Sequence, residues 1–169
     1  MFKKHKLRLI KCIYSNGTYG KGFKAHQDQP AWTDFPPKRY VTVAFFGNNT
    51  TVENGCLQFA RGEHNKGLHP HDIEGGGEMI EKGFNWEHVL TSPRDLLMFD
   101  SYVPHKSDDN TTPNDRRIFY LTYNPAEDGD FYLDYIKRKR EILPPDNERE
   151  EGKDYNIGST KYNLANPIN

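Results

Sequence analysis

Short apolar runs closed off by turn residues, with no long amphipathic stretches between them, set the pattern of this chain. Lys6–Tyr14, Tyr40–Phe46, Cys56–Ala60, Asp95–Phe99 and Ile118–Tyr123 are rich in β-branched and aromatic side chains, which suit a pleated, half-buried surface. Turn chemistry bounds each run: Asn16-Gly17, Asp34 to Pro37, Gly47-Asn48-Asn49, Arg61-Gly62, Gly75-Gly76-Gly77 and Ser92 to Asp95. Strands at this spacing predict an all-β sandwich or jelly roll. One short helix is predicted, Phe131–Arg140, where Tyr132, Tyr135 and Ile136 share a face opposite lysines and arginines. Beyond Pro144-Pro145 the composition turns charged and polar. The expected division is therefore a core, 1–143, and an irregular tail, 144–169, held to the core by Tyr155, Tyr162 and Leu164.

Composition narrows the class of partner. A chain of 169 residues with 34% hydrophobic positions suits one domain, and a formal net charge of -1 offers no broad basic footprint for nucleic acid. No apolar run approaches the roughly 20 residues that span a bilayer, and Arg8 and Lys11 interrupt the only candidate leader. These features predict a cytoplasmic protein acting on a small molecule; they leave the oligomeric state open. Cys12 and Cys56 are expected to be free thiols, since two cysteines define no disulfide framework.

The candidate chemistry lies in two segments. In a strand, residues two apart face the same way, so His26 and Asp28 of HQDQPAW can bite one metal while Gln27 points away. His105, expected at the start of the turn after Leu96–Phe99, would complete the set. Two neutral imidazoles and one carboxylate on one face of an octahedral Fe(II) leave three positions for a chelating 2-oxo acid and dioxygen. Arg116 follows His105 by eleven residues and is expected to open a strand that returns alongside it, placing a guanidinium in the same pocket. Its fork of donors can grip a distal carboxylate, with the Ser107 hydroxyl beside it. Arg117 competes for this role, but alternation lets only one of the pair face inward. His64, His69 and His71 form a further cluster, read either as a second metal site or as solvent-exposed loop residues.

The blocks HQDQPAW, ENGCLQFARGEHNKG, DLLMFDSYVPHKS and DRRIFYLTYNPA, in this order, resemble the phytanoyl-CoA dioxygenase family of Fe(II)/2-oxoglutarate oxygenases. The resemblance implies a cupin-like double-stranded β-helix. It makes His26, Asp28 and His105 the iron ligands and Arg116 the clamp for 2-oxoglutarate, with Ser107, Thr42 and Phe23 lining the co-substrate pocket. Dioxygen is implied as second co-substrate and ascorbate as reductant. Within the family the likeness is to phosphonate hydroxylases, which implies a small substrate such as 2-aminoethylphosphonate. Lys106, Arg117 and the lysines before His26 are candidates for its phosphonate. Asp34, Asp108, Asp109 and Tyr102 are candidates for its ammonium, and Trp32 and Asn110 for the same side of the pocket. Family members carry a longer stretch ahead of the HxD strand, so the expected alternatives are a catalytically silent metal-binding relative, or a minimal core with an exposed apolar face. A hydroxylase of a different small polar metabolite is a further alternative.

Overall fold

A computed structural model describes residues 7–15, 20–72, 78–81 and 83–155. Its strands are β1 (Leu7–Ser15), β2 (Phe23–His26), β3 (Val41–Phe46), β4 (Leu57–Ala60), β5 (His71–Asp72), β6 (Glu78–Met79), β7 (Trp86–Val89), β8 (Leu96–Asp100), β9 (His105–Ser107) and β10 (Ile118–Pro125), followed by the helix α1 (Tyr132–Ile142). Eight of the strands form two four-stranded antiparallel sheets, ordered β1-β10-β3-β8 and β2-β9-β4-β7, while β5 and β6 form a small ribbon between β4 and β7. The strands alternate between the two sheets from β1 to β4 and again from β7 to β10, with β4 and β7 paired in one sheet, the winding of a jelly roll.

The five runs with strand-like composition become β1, β3, β4, β8 and β10. The pattern does not reveal β2, β7 or β9. FKAH, WEHV and HKS are too short and polar to declare themselves, and they are strands because distant segments supply partners: β4 and β2 flank β9, while β2 and β7 pair along one edge each. The core between the sheets comprises Ala44, Phe46, Leu57, Phe59, Phe99, Val103 and Ile118. A second cluster, Ala31, Trp32, Tyr40, Tyr135 and Leu143, fixes α1, with Phe35, Phe131, Ile142 and Tyr155 packed against it. The helix therefore buries Tyr135 rather than the expected Tyr132–Tyr135–Ile136 face: Ile136 is 41% exposed, because Tyr135 and Ile142 pack with Phe131 on the cluster of Ala31, Trp32 and Tyr40. Tyr162, Leu164, the Asn16-Gly17 turn, the Gly75-Gly76-Gly77 run and the side chains of Cys12 and His71 lie outside the described residues.

The outer face of the first sheet is apolar and open. Phe45 stands opposite Leu96 on β8 and Phe119 on β10, and these three with Met98 are between 41% and 58% exposed. No helix among the described residues is long and apolar enough to cross a membrane.

Candidate active site

The central feature is a cross-strand pair. β2 and β9 bring His26 directly opposite His105, ring centroids 4.2 Å apart, although 79 positions separate them along the chain. One residue more lies between Phe23 and His26 than between Ser107 and His105, so β2 carries a bulge. A bulge re-aims side chains. It lets Phe23 and His26, an odd distance apart, line the same cleft.

Asp28 arrives by a different route from the one its spacing suggests. β2 ends at His26, and Asp28 has helical backbone angles (φ -73°, ψ -28°) as the cap of a 3-10 turn, Gln29–Trp32. Pro30 suits that first turn, where its missing N–H costs nothing. The chain thus curls the carboxylate back beside His26, and period-2 alternation plays no part. His105 also differs from its expected place: it opens β9, after the turn. Arg116 precedes β10, and that strand runs between β1 and β3 in the opposite sheet, not alongside His105.

His26, Asp28 and His105 are all buried, and their ligand atoms lie within 4.8 Å of one another. Each imidazole is oriented by a backbone carbonyl: His26 Nδ1 donates to the Lys24 carbonyl at 2.7 Å, and His105 Nδ1 donates to the Val103 carbonyl at 3.0 Å. A neutral ring that donates from Nδ1 presents the lone pair of Nε2, the tautomer a metal requires. Asp28 Oδ1 stands 3.7 Å from His26 Nε2, and its Oδ2 accepts from the Thr42 hydroxyl at 3.4 Å. Thr42 in turn meets its cross-strand partner Thr122 at 2.9 Å. Phe59 stacks on His105 and Phe99 tilts against it, so the donors sit against aromatic walls. Among the described residues this is the one group of three or more side chains able to hold a metal. His64 and His69 join no such group; His69 Nε2 faces Glu63 at 3.4 Å.

The donors open into a narrow cleft with room of about 40 Å³, lined also by Phe23, Thr42, Leu57, Phe99, Lys106, Tyr120 and Thr122. Arg116 is 4% exposed and Arg117 is exposed, paired with Asp115. The Arg116 Nη1 donates to the carbonyls of Gly55 and Asp108, and burial depresses its pKa. Ser107 stands opposite Phe23 and accepts its N–H at 3.1 Å. Of the expected co-substrate residues, Thr42 and Phe23 line the cleft with the metal donors, while Ser107, paired with Phe23, and Arg116, buried ahead of β10, are not among its lining residues. Tyr120 and Thr122, which the sequence reading missed, lie on β10 at even steps beyond the buried Arg116 that precedes the strand. Continuing the alternation from Arg116 would have found them. Burial raises the Tyr120 phenol well above its ordinary pKa, and the nearby Asp28 carboxylate adds to this.

The residues expected to recognise substrate are mostly engaged elsewhere. Lys106 Nζ pairs with Glu81 at 2.7 Å over the Trp86 ring, and Lys21 pairs with Asp109. Trp32 is fully buried in the α1 cluster, and Asn110 braces its own turn through Thr112 and Asn114. Asp34 pairs with Arg138, Asp108 accepts from Gln58, and Tyr102 lies under Arg39.

Comparison with known proteins follows the same lines. The family profile described as Phytanoyl-CoA dioxygenase (PhyH) matches residues 3–118. A 2-aminoethylphosphonate dioxygenase from Uncultured bacterium HF130_AEPn_1 is 43% identical over 153 residues, covering 88% of this chain and 57% of the relative. A methylphosphonate hydroxylase from Gimesia maris is 39% identical over 125 residues, covering 72% and 46%. The chain thus spans about half the length of these relatives. The epimerase SnoN from nogalamycin biosynthesis, solved with Fe3+, alpha ketoglutarate and nogalamycin RO, superposes with a TM-score of 0.60 at 20% identity, covering 71% of this chain and 50% of that one. The jelly roll and the extent of these matches together show that the chain belongs to the phytanoyl-CoA dioxygenase family.

Proposed function

We propose that this chain is the jelly roll of an Fe(II)- and 2-oxoglutarate-dependent dioxygenase that hydroxylates a small phosphonate. The carrying observation is the buried His26–Asp28–His105 set, whose two rings are held by backbone carbonyls in the tautomer that presents Nε2. The donor chemistry fits Fe(II): two neutral imidazoles and one carboxylate, the combination that leaves positions for co-substrates. With dioxygen and 2-oxoglutarate, iron bound there supplies the oxidation of an unreactive C–H bond, while the protein supplies placement and keeps side reactions out.

The remaining residues take supporting roles. Thr42 anchors the Asp28 carboxylate. Arg116 has five N–H donors and uses Nη1 on the backbone, which leaves donors for the far carboxylate of 2-oxoglutarate and supports its reading as the clamp. Ser107 accepts an N–H and keeps its own O–H to donate to that carboxylate. Phe23, Leu57 and Phe99 give the cleft apolar walls.

Similarity to two phosphonate enzymes supports the substrate class. The expected reaction is hydroxylation of 2-aminoethylphosphonate at the carbon bearing phosphorus. A second reading, hydroxylation of another small polar metabolite, draws support from the pairing of Lys106, Arg117 and Lys21 with Glu81, Asp115 and Asp109. Phosphorus NMR of an incubation with Fe(II), 2-oxoglutarate, dioxygen and ascorbate separates the two. A new phosphonate resonance matched by succinate formation is expected. An unchanged resonance from protein that oxidises 2-oxoglutarate with a different small molecule would overturn the substrate and leave the reaction class.

A further inference from the structure

We propose that Gln27 is the positioning residue of the His26–Asp28–His105 set, tying together the segments that carry the three ligands; this rests on the metal reading of that set. Gln27 is fully buried between two of the ligands, and its side chain turns away from them. Its Nε2 donates to the carbonyl of Gly67 at 2.8 Å and to that of Tyr102 at 2.6 Å, and its Oε1 accepts the His69 N–H at 2.8 Å. Both amide hydrogens and an oxygen lone pair are therefore engaged. A primary amide of this length is what the position requires: glutamate lacks the donors and methionine lacks all three bonds.

The geometry gives those bonds a consequence at the metal donors. Tyr102 is followed by Val103, whose carbonyl orients the His105 ring. Holding the Tyr102 carbonyl from Gln27 thus couples the turn that aims the third ligand to the segment that carries the first two. The neighbouring Gln29 reinforces the coupling, since its N–H donates to the Ser101 carbonyl at 3.0 Å and its Oε1 accepts from the Ser101 hydroxyl at 2.7 Å. On its other side Gln27 fastens the loop from Gly62 to His69, where Gly62 and Gly67 have left-handed φ of 83° and 81°. Groups that orient ligands without touching the metal commonly change metal affinity by about 10- to 100-fold when removed.

The test uses Gln27→Glu, which keeps the shape but turns a carboxylate toward two carbonyl oxygens, and Gln27→Met, which removes the bonds without burying a charge. Co(II) is titrated by visible absorption, and Fe(II) with 2-oxoglutarate by its charge-transfer band without oxygen, on protein shown to be folded by circular dichroism. Both variants are expected to bind each metal about 10- to 100-fold more weakly, with an altered Co(II) spectrum. A purely structural role would lower the melting temperature of the metal-free protein while leaving both metal affinities and the spectrum unchanged, and would overturn the proposal. Hydrogen exchange on the wild-type protein gives a second reading independent of either variant. The His69 amide is expected to exchange as slowly as those of β9, and exchange at the rate of an open loop would also overturn it. A wild-type protein that binds neither metal would instead remove the metal reading itself.

Discussion

Replacing Gly55 with alanine tests how the fold aims Arg116. Gly55 has φ +75°, and a Cβ there would collide with the Asp108 carbonyl oxygen and with Arg116 Nη1. Gly62 has the similar φ of +83°, with nothing within 4 Å of the same Cβ position. The left-handed backbone costs an L-residue about 1–2 kcal/mol at either site. At Gly55 the obstacle includes backbone, which cannot swing aside as a flexible side chain would, and forced overpacking adds about 1–3 kcal/mol. The expected loss is about 1–2 kcal/mol for Gly62→Ala and about 2–5 kcal/mol for Gly55→Ala, the latter a large part of the about 5–15 kcal/mol that stabilises a typical domain. Urea unfolding of the metal-free proteins at constant m measures both. Gly55→Ala also displaces the guanidinium from the Gly55 and Asp108 carbonyls. Titration with 2-oxoglutarate at saturating Fe(II) is therefore expected to show about tenfold weaker binding for Gly55→Ala and none of this loss for Gly62→Ala. Equal destabilisation by the two substitutions, or undiminished 2-oxoglutarate affinity in folded Gly55→Ala, would refute the reasoning.

Three further outcomes are expected. Asp28→Ala removes the only carboxylate of the donor set and should abolish the charge-transfer band with Fe(II) and 2-oxoglutarate; a band of wild-type intensity would show that Asp28 is no ligand. Arg116→Ala should raise the 2-oxoglutarate requirement about 10- to 100-fold, the worth of charge-assisted hydrogen bonds, and Arg117→Ala should leave it near wild type; initial rates against co-substrate concentration give the ranking, and its reversal would place the wrong arginine inward. Asp95 accepts the backbone N–H and then the hydroxyl of Ser92, which hold its pKa below the ordinary carboxylate value. Its stabilisation is present above that ordinary value and is lost as pH falls through the depressed one, so Asp95→Asn should be less stable than wild type at neutral pH, with the gap closing in acid; a pH-independent gap in denaturant midpoints would contradict this.

Particular residues show what could be read in the chain and what could not. The strands whose composition alone suits a half-buried sheet, such as Val41–Phe46 and Ile118–Tyr123, were legible because side-chain chemistry and burial agree there. The metal-ligand types in HQD and at His105 were legible too, since donor chemistry belongs to the side chain. Alternation predicted that only one of Arg116 and Arg117 would face inward without choosing between them, and in the fold Arg116 is buried while Arg117 is exposed. Other features depend on partners far along the chain. The β2 bulge turns Phe23 and His26 to one side only because β9 offers a shorter count of residues opposite, and Asp28 joins His26 through a 3-10 turn rather than through alternation. Arg116 reaches inward from the opposite sheet, and the hydrogen bonds of Gln27 exist because the Gly67–His69 loop and the Tyr102 turn converge on it. The sequence by itself determined which atoms can bind a metal and which segments prefer to be strands, because those properties are local. Only the tertiary structure decided which ring nitrogen each histidine presents and which side chains meet, because register, bulges and backbone carbonyl positions are set by pairing between distant segments.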